Sequence, residues 1–236
     1  MTTDVDGVLA RMHGVDAGLP PGDGVAVFNR VYAAVTAEVA RRLAAGHFAD
    51  PEAAGDLAVR FAGRYLAAVA DDAAGRRPPA CWRPLLRMRA HPDIRPLQFA
   101  LAGINAHVGH DLALAVLDTC RATGRELPGL EADFDRVGEA LTQIEAEVRE
   151  LLMPGPDLLE AADPLTHLVG SWSLARARDA AWAAARLLWA LRGADEAYDE
   201  CVSRLDAAVG LVGRLLLTPT GGGRQSSGSS TGAISS

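Results

Sequence analysis

Apolar side chains recur at three- and four-residue steps along most of the chain, which is the pattern of helices that bury one face. In an early stretch, between residues 24 and 45, the recurring positions are Phe28, Val31, Tyr32, Val35, Val39 and Leu43. The most regular stretch runs from Leu130 to Leu152, where four- and three-residue steps alternate. The pattern therefore predicts an all-α protein.

Proline, glycine and capping residues divide these stripes into about six to seven helices. Asp50-Pro51 and Asp163-Pro164 each place a capping acid before a proline at the first helical position. Gly46 and Gly124 stand where helices end. Between them, the stretch of about 96–123 contains no proline after its first residue, so it is predicted to be one long helix.

The sequence predicts a single-domain helical bundle around that long central helix. The helical domain spans residues 24–217 and follows an N-terminal loop with a short helix, residues 1–23. Residues 218–236 are rich in Gly, Ser and Thr and have almost nothing to bury, so a disordered tail is expected there.

The composition favours closely packed helices and argues against nucleic acid as a partner. Hydrophobic residues make up 49% of the chain but aromatic residues only 5%, so Ala, Leu and Val must build the core. The formal net charge is −7, which opposes attraction to a phosphate backbone. All 23 basic side chains are Arg, and the Ala, Arg, Gly and Leu bias is typical of high-GC actinobacteria.

The three cysteines and the first residues of the chain indicate a cytoplasmic protein. Cys81, Cys120 and Cys201 have no paired spacing, so neither a disulfide framework nor a zinc-thiolate site is indicated. The chain starts with acidic rather than basic residues, and no uninterrupted apolar run approaches the ~20 residues that cross a bilayer. We therefore expect a cytoplasmic location and no membrane partner.

The densest group of chemically capable side chains lies in the central helix, in the segment Asn105-Ala-His107-Val-Gly-His110-Asp111-Leu. At roughly 100° per residue, His107, His110 and Asp111 fall in one sector of the helix. The rest of this helix is mainly Ala, Leu, Val and Gly, with no Glu. This composition is typical of a helix that is surrounded by other helices. Polar side chains buried in this way need hydrogen-bond partners or a ligand.

Two kinds of chemistry suit this cluster, and a third interpretation gives it none. His107, His110 and Asp111 could ligate a divalent metal, Zn, Fe or Mn, with further ligands from another helix. Candidate donors are Asp118, His47, His91 and His167. Alternatively, Asp111 or Asp118 could orient an imidazole for acid–base catalysis without a metal. In the third interpretation the cluster is the solvated side of an amphipathic helix.

Other polar and aromatic side chains are candidates for orienting a substrate. They are Asn29, Tyr32, Arg64, Asn105 and Trp172. Local hydrogen bonding, core packing and an interhelical ion pair would explain the same residues without a substrate. The sequence lacks the glycine-rich phosphate-binding and dinucleotide motifs, the nucleophile elbow and the zinc-protease motif, so we expect no nucleotide cofactor.

Several of these segments together resemble a known family. They are Gly22 to Tyr32, Phe61 to Tyr65, Trp82 to Leu85 and Gln98 to Leu112. They are similar to an actinobacterial and fungal family catalogued as a domain of unknown function, number 5995. The resemblance spans about Val8 to Arg192, and Gly103 to Leu112 is its most specific part. It implies that the polar cluster belongs to a family pattern, and it carries over no activity.

The sequence favours an enzyme that acts on a small, largely apolar metabolite in a pocket between helices, in specialised metabolism. His107, His110 and Asp111 would be its reactive group, for cyclisation, isomerisation, elimination or metal-dependent hydrolysis. The alternative is a non-catalytic helical module that binds a small molecule or a protein. A homodimer through the exposed stripe of a peripheral helix is left open.

Overall fold

The structure is a computed structural model that describes residues 4–138 and 173–219. Within these ranges the regular elements are helical and no strand occurs. They are α1 (Val5–Ala17), α2 (Gly24–Ala44), α3 (Pro51–Ala73), α4 (Arg83–Met88), α5 (Pro96–Ala106), a π-helical turn (His107–Asp111), α6 (Leu112–Thr123), a 3-10 turn (Leu127–Leu130), α7 (Leu174–Ala190) and α8 (Asp195–Leu216). Residues 131–138 are also helical. The predicted all-α fold is confirmed.

The helix starts and stops follow the capping residues. Asp50 accepts a hydrogen bond from the backbone N–H of Ala53 (3.0 Å), and Pro51 is the first residue of α3. Asp23 accepts one from Val25 (2.8 Å) at the start of α2. Gly124 ends α6 with φ +67°, a backbone conformation that glycine adopts without a steric penalty.

The central helix consists of α5, the π-helical turn and α6, joined without a break over the predicted range. Helices α2 and α8 pack against α5, whereas α3 and α7 pack against α6. Most side chains of α5 and α6 are buried as a result. The helix is surrounded, as the scarcity of charged residues predicted.

This central helix is also apolar enough, over its 28 residues, to meet the length and composition expected of a membrane span. Scattered polar residues interrupt its apolar runs, but few of them are charged. In its most apolar 18-residue stretch, 83% is buried inside the protein. A core helix has the same properties, so the finding is weak support for a span.

Two parts of the fold differ from the sequence prediction or go beyond it. Helix α1 is longer than the short helix expected near the N-terminus, and Met12 on it is fully buried. The π-helical turn was not predicted: the N–H of Leu112 donates to the carbonyl of His107, five residues earlier. The predicted tail from residue 220 onward, the Asp163-Pro164 cap, Trp172 and most of the predicted helix over 130–152 lie outside the described residues.

Small residues allow the central helix to approach its neighbours closely. A Cβ atom at Gly103 would stand 2.3 Å from the ring of Phe28 on α2, which is far inside van der Waals contact. In α3, by contrast, a Cβ atom at Gly63 would meet nothing within 4 Å. A side chain would therefore clash at Gly103 but not at Gly63.

We expect Gly103→Ala to lower the free energy of unfolding by about 1–3 kcal/mol, because the added methyl group overpacks the contact with Phe28. Gly63→Ala is the matched control. It should raise the same quantity by roughly 0.5–1 kcal/mol, since it removes backbone freedom from the unfolded chain without a clash. Urea unfolding followed by circular dichroism measures both values. Equal effects of the two substitutions would contradict this account of Gly103.

Candidate functional site

The carboxylate of Asp111 is the centre of a buried polar network. Its Oδ2 atom accepts a hydrogen bond from Trp82 Nε1 (2.9 Å) and lies 3.1 Å from His107 Nδ1. Its Oδ1 atom lies 2.9 Å from His110 Nδ1. Asp111 and both imidazoles are at most 4% exposed. The three residues predicted from the sequence thus meet in the protein interior, and the interpretation as a solvated helix side is wrong.

The π-helical turn belongs to this network, because it contains both histidines and the aspartate. His107 and Asp111 are four residues apart, whereas His110 directly precedes Asp111. Both imidazoles nevertheless reach the same carboxylate, one at each oxygen. Single π-helical turns inside α-helices occur often at functional sites.

The charge state of Asp111 determines the tautomers of the two histidines. Burial alone would raise the pKa of Asp111, but its hydrogen bonds and charge interactions with His107 and His110 outweigh burial and hold that pKa below its usual value. An ionised carboxylate only accepts hydrogen bonds. Nδ1 therefore carries the proton in each neutral ring, and Nε2 has a free lone pair.

The ring of His107 lies in a cluster of aromatic side chains. It stacks on Phe61 with the ring centres 3.6 Å apart and the planes nearly parallel, and Tyr32 lies 4.3 Å away in an edge-on arrangement. Its Nε2 atom is buried and has no hydrogen-bond partner. Burial lowers the pKa of His107, although Asp111 opposes the shift. The ring is consequently neutral at pH 7 and has an unpaired lone pair.

An apolar cavity of about 50 Å³ lies next to this aromatic cluster, and Phe61 and Tyr32 both line it. It is bounded by α2, α3, the central helix, the helical residues 131–138 and α7. Val108, next to His107 in the chain, is part of the wall, and Arg178 contributes a charged group. His107 does not line the cavity itself, but it contacts Phe61 and Tyr32, which do.

The structure places four of the five predicted substrate-orienting residues. Asn29 donates to the carbonyl of Met12 (2.8 Å) and accepts from the hydroxyl of Tyr65 (3.1 Å), so it connects α1, α2 and α3. Asn105 donates to the carbonyl of Val209 on α8 (3.0 Å). Arg64 forms an ion pair with Asp118. Tyr32 alone lines the cavity, and Trp172 lies outside the described residues.

Sequence reasoning missed several residues that complete the site. Phe61 and Trp82 belong to the segments that resemble the family, but neither is predicted to contact His107. No spacing in the sequence predicts these contacts, because they join separate helices. The apolar positions on α2 predicted a core without indicating what it encloses.

A comparison with protein-family models decides the family. The model described as "Family of unknown function (DUF5995)" matches residues 5–219. The chain belongs to this family. The match includes α1 and α8, so the family pattern extends beyond the Val8 to Arg192 range of the resemblance noted from the sequence. The chain matches no curated protein and no solved structure at a significant level.

The lowered pKa of His107 predicts a specific pH dependence of stability in this DUF5995 protein. In the unfolded chain His107 takes up a proton below about pH 6.5, whereas the folded protein resists protonation to a lower pH. The free energy of unfolding should therefore fall by about 1.4 kcal/mol per pH unit below that pH, until the folded state is protonated too.

His107→Asn is the variant that tests this prediction, because its amide can still donate to Asp111 and does not titrate. Urea unfolding between pH 7.5 and 4.5 should show the slope in the wild type and lose it in the variant. Asp111 contributes only below about pH 4, outside this window. The same slope in both proteins would contradict the assignment to His107.

Proposed function

We propose that this protein is an enzyme that acts on a small, largely apolar molecule, with His107 as its acid–base residue. The observation that carries the proposal is the Nε2 atom of His107, which is buried and has no hydrogen-bond partner. Leaving a polar atom in this state costs about 1–3 kcal/mol. Such unsatisfied atoms are few in folded proteins, and a catalytic role or a bound group is one explanation for them. Arg64, Arg83 and Thr119 also have one, but His107 is the one among these four that is suited to accept a proton at pH 7.

The site has a base, a group that orients it and a neighbouring cavity. Asp111 holds His107 through Nδ1, as in other carboxylate–imidazole pairs that catalyse proton transfer. Phe61 and Tyr32 both contact the imidazole and line the cavity. At about 50 Å³ the cavity is smaller than a ring-containing acid. The proposal therefore requires the Phe61 ring to move when substrate binds, which enlarges the cavity and joins it to Nε2.

The chemistry that suits this arrangement is proton transfer within an apolar site. Nε2 of His107 accepts a proton from a C–H or O–H group of the substrate, and Asp111 stabilises the imidazolium that forms. Return of the proton to another substrate atom completes an isomerisation. Its delivery to a departing hydroxyl group, which leaves as water, completes an elimination instead. Neither reaction consumes another reactant.

The cavity wall indicates the kind of substrate. Its lining within the described residues is almost wholly apolar, and Arg178 is the charged side chain among them. The guanidinium group stacks over the ring of Phe134 (4.6 Å), and burial lowers its pKa. An apolar molecule with a carboxylate at one end would complement both features, because the carboxylate would compensate a half-buried positive charge.

The proposal is tested with a panel of small alicyclic, aromatic and branched-chain carboxylic acids, each paired with its methyl ester. Binding is measured by thermal shift, and conversion by liquid chromatography with mass spectrometry. We expect acids to stabilise the protein more than their esters. Ala58→Leu should abolish that stabilisation while keeping the fold, because Ala58 lines the cavity and the larger side chain fills it.

For any acid that is converted, His107→Asn should bind it and turn it over at least about 100-fold more slowly, the usual contribution of a general acid–base residue. His13→Asn is the control, since His13 is exposed on α1. Conversion at the wild-type rate by the His107 variant would overturn the proposal. So would bound acids that are always recovered unchanged.

A second function, binding without catalysis, is favoured by one feature of the network. Asp111, His107 and His110 already satisfy one another through Nδ1, and Asn29 and Asn105 are used in contacts between helices. A ligand would then need only the apolar cavity. Binding that Ala58→Leu abolishes, with no product from any acid, would support this function.

A further inference from the structure

A second group of chemically capable side chains lies beside the Asp111 network. It consists of Cys81 before α4, His110 in the π-helical turn and Asp206 on α8. A sulfur, a ring nitrogen and a carboxylate oxygen from these residues all lie within 4.8 Å of one another. Cys81 and His110 are buried and Asp206 is partly buried. Among the described His, Cys, Asp and Glu residues, these three have potential ligand atoms close enough together to hold one metal ion.

The backbone holds Asp206 and Cys81 together. The carboxylate of Asp206 accepts hydrogen bonds from the N–H groups of Ala80 and Cys81, each at 2.8 Å. One turn later on α8, a Cβ atom at Gly210 would stand 2.6 Å from the carbonyl oxygen of Ala80. The missing side chain thus allows α8 to lie directly against the Cys81 turn.

The imidazole of His110 is oriented toward this group by the Asp111 network. Asp111 accepts from Nδ1 of His110 (2.9 Å) and leaves Nε2 with a free lone pair. Nε2 in turn lies 3.9 Å from Oδ1 of Asp206. A carboxylate that accepts from the far nitrogen of a ligating histidine is the usual outer partner at zinc sites, where it fixes the ring and strengthens the ligand.

The spacing of these groups suits a small divalent ion. Tetrahedral ligands at 2.0–2.3 Å from zinc are about 3.3–3.8 Å apart, so a small inward movement of the three side chains would form a site. Sulfur, imidazole and carboxylate together suit zinc and its neighbours in the first transition series better than magnesium or calcium. Three protein ligands leave a fourth position open, as in catalytic zinc sites.

We propose that Cys81, His110 and Asp206 bind one divalent transition-metal ion, with Zn²⁺ the best fit, and that Asp111 positions His110 for it. Binding releases the thiol proton of Cys81 to solvent and forms a metal–thiolate bond. The site goes beyond the function proposed for His107. It differs from the ligand set predicted from the sequence, because His107 is not a ligand and Asp111 supports a ligand instead of being one. It also includes a thiolate ligand, Cys81, which the spacing of the cysteines did not indicate.

The test uses the full chain, stripped of metal with a chelator and titrated with Co²⁺. We expect one equivalent to bind and to produce the near-ultraviolet charge-transfer band of a cobalt–thiolate bond, which Zn²⁺ then removes. Cys81→Ser should lose the band and bind at least about 10-fold more weakly. Cys120→Ser is the matched control, because Cys120 is an equally buried thiol on α6 and its loss should change neither result.

Asp111→Asn tests the positioning role. It should keep the thiolate band and weaken binding by about 10–100-fold, the usual effect of losing an outer partner of a histidine ligand. Circular dichroism confirms the fold of each variant. X-ray absorption at zinc bound to the wild type provides a readout that needs no variant, and it should show one sulfur ligand among nitrogen and oxygen ligands.

Three results would overturn the proposal. In the first, the folded wild type binds less than one equivalent of Co²⁺. In the second, the bound zinc has no sulfur ligand. In the third, Cys120→Ser loses the thiolate band and Cys81→Ser keeps it. None of these measurements involves turnover. Failure of the metal site is therefore distinguishable from failure of His107 as a catalyst.

Discussion

The compensation of one buried charge organises the interior of this protein. An ionised carboxylate removed from water is stable only if hydrogen bonds replace its solvation, and Asp111 obtains them from Trp82, His107 and His110. Trp82 precedes α4, and the two histidines lie in the central helix, so the charge connects these two parts of the chain. Removing any donor would leave the others around an undersolvated charge.

The same carboxylate orients two imidazoles toward different surroundings. Because it accepts from both Nδ1 atoms, both Nε2 lone pairs point away from it. That of His107 lies among aromatic rings beside an apolar cavity, and that of His110 faces a carboxylate and a thiol. Identical residues three positions apart are thus placed in an apolar and a polar environment, which suit proton transfer and metal binding respectively.

The scarcity of large side chains makes this arrangement sterically feasible. Gly103 lies against Phe28, and Gly210 lies against the carbonyl of Ala80. The first close approach brings α2 onto the central helix, and the second brings α8 onto the turn that contains Cys81. The aromatic residues, although few in the chain as a whole, concentrate around His107. Close packing at Gly103 and Gly210 is therefore compatible with a cluster of aromatic rings around His107.

The sequence by itself determined the helical class, the main helix boundaries and the enclosed central helix with His107, His110 and Asp111. These features depend on side-chain periodicity and capping, which act over a few residues. Only the tertiary structure decided which nitrogen of each histidine faces Asp111. It also decided which side chains surround the other nitrogen. Cys81, His110 and Asp206 are far apart in the chain and share no spacing signal, because their proximity arises from the packing of α8 against the Cys81 turn.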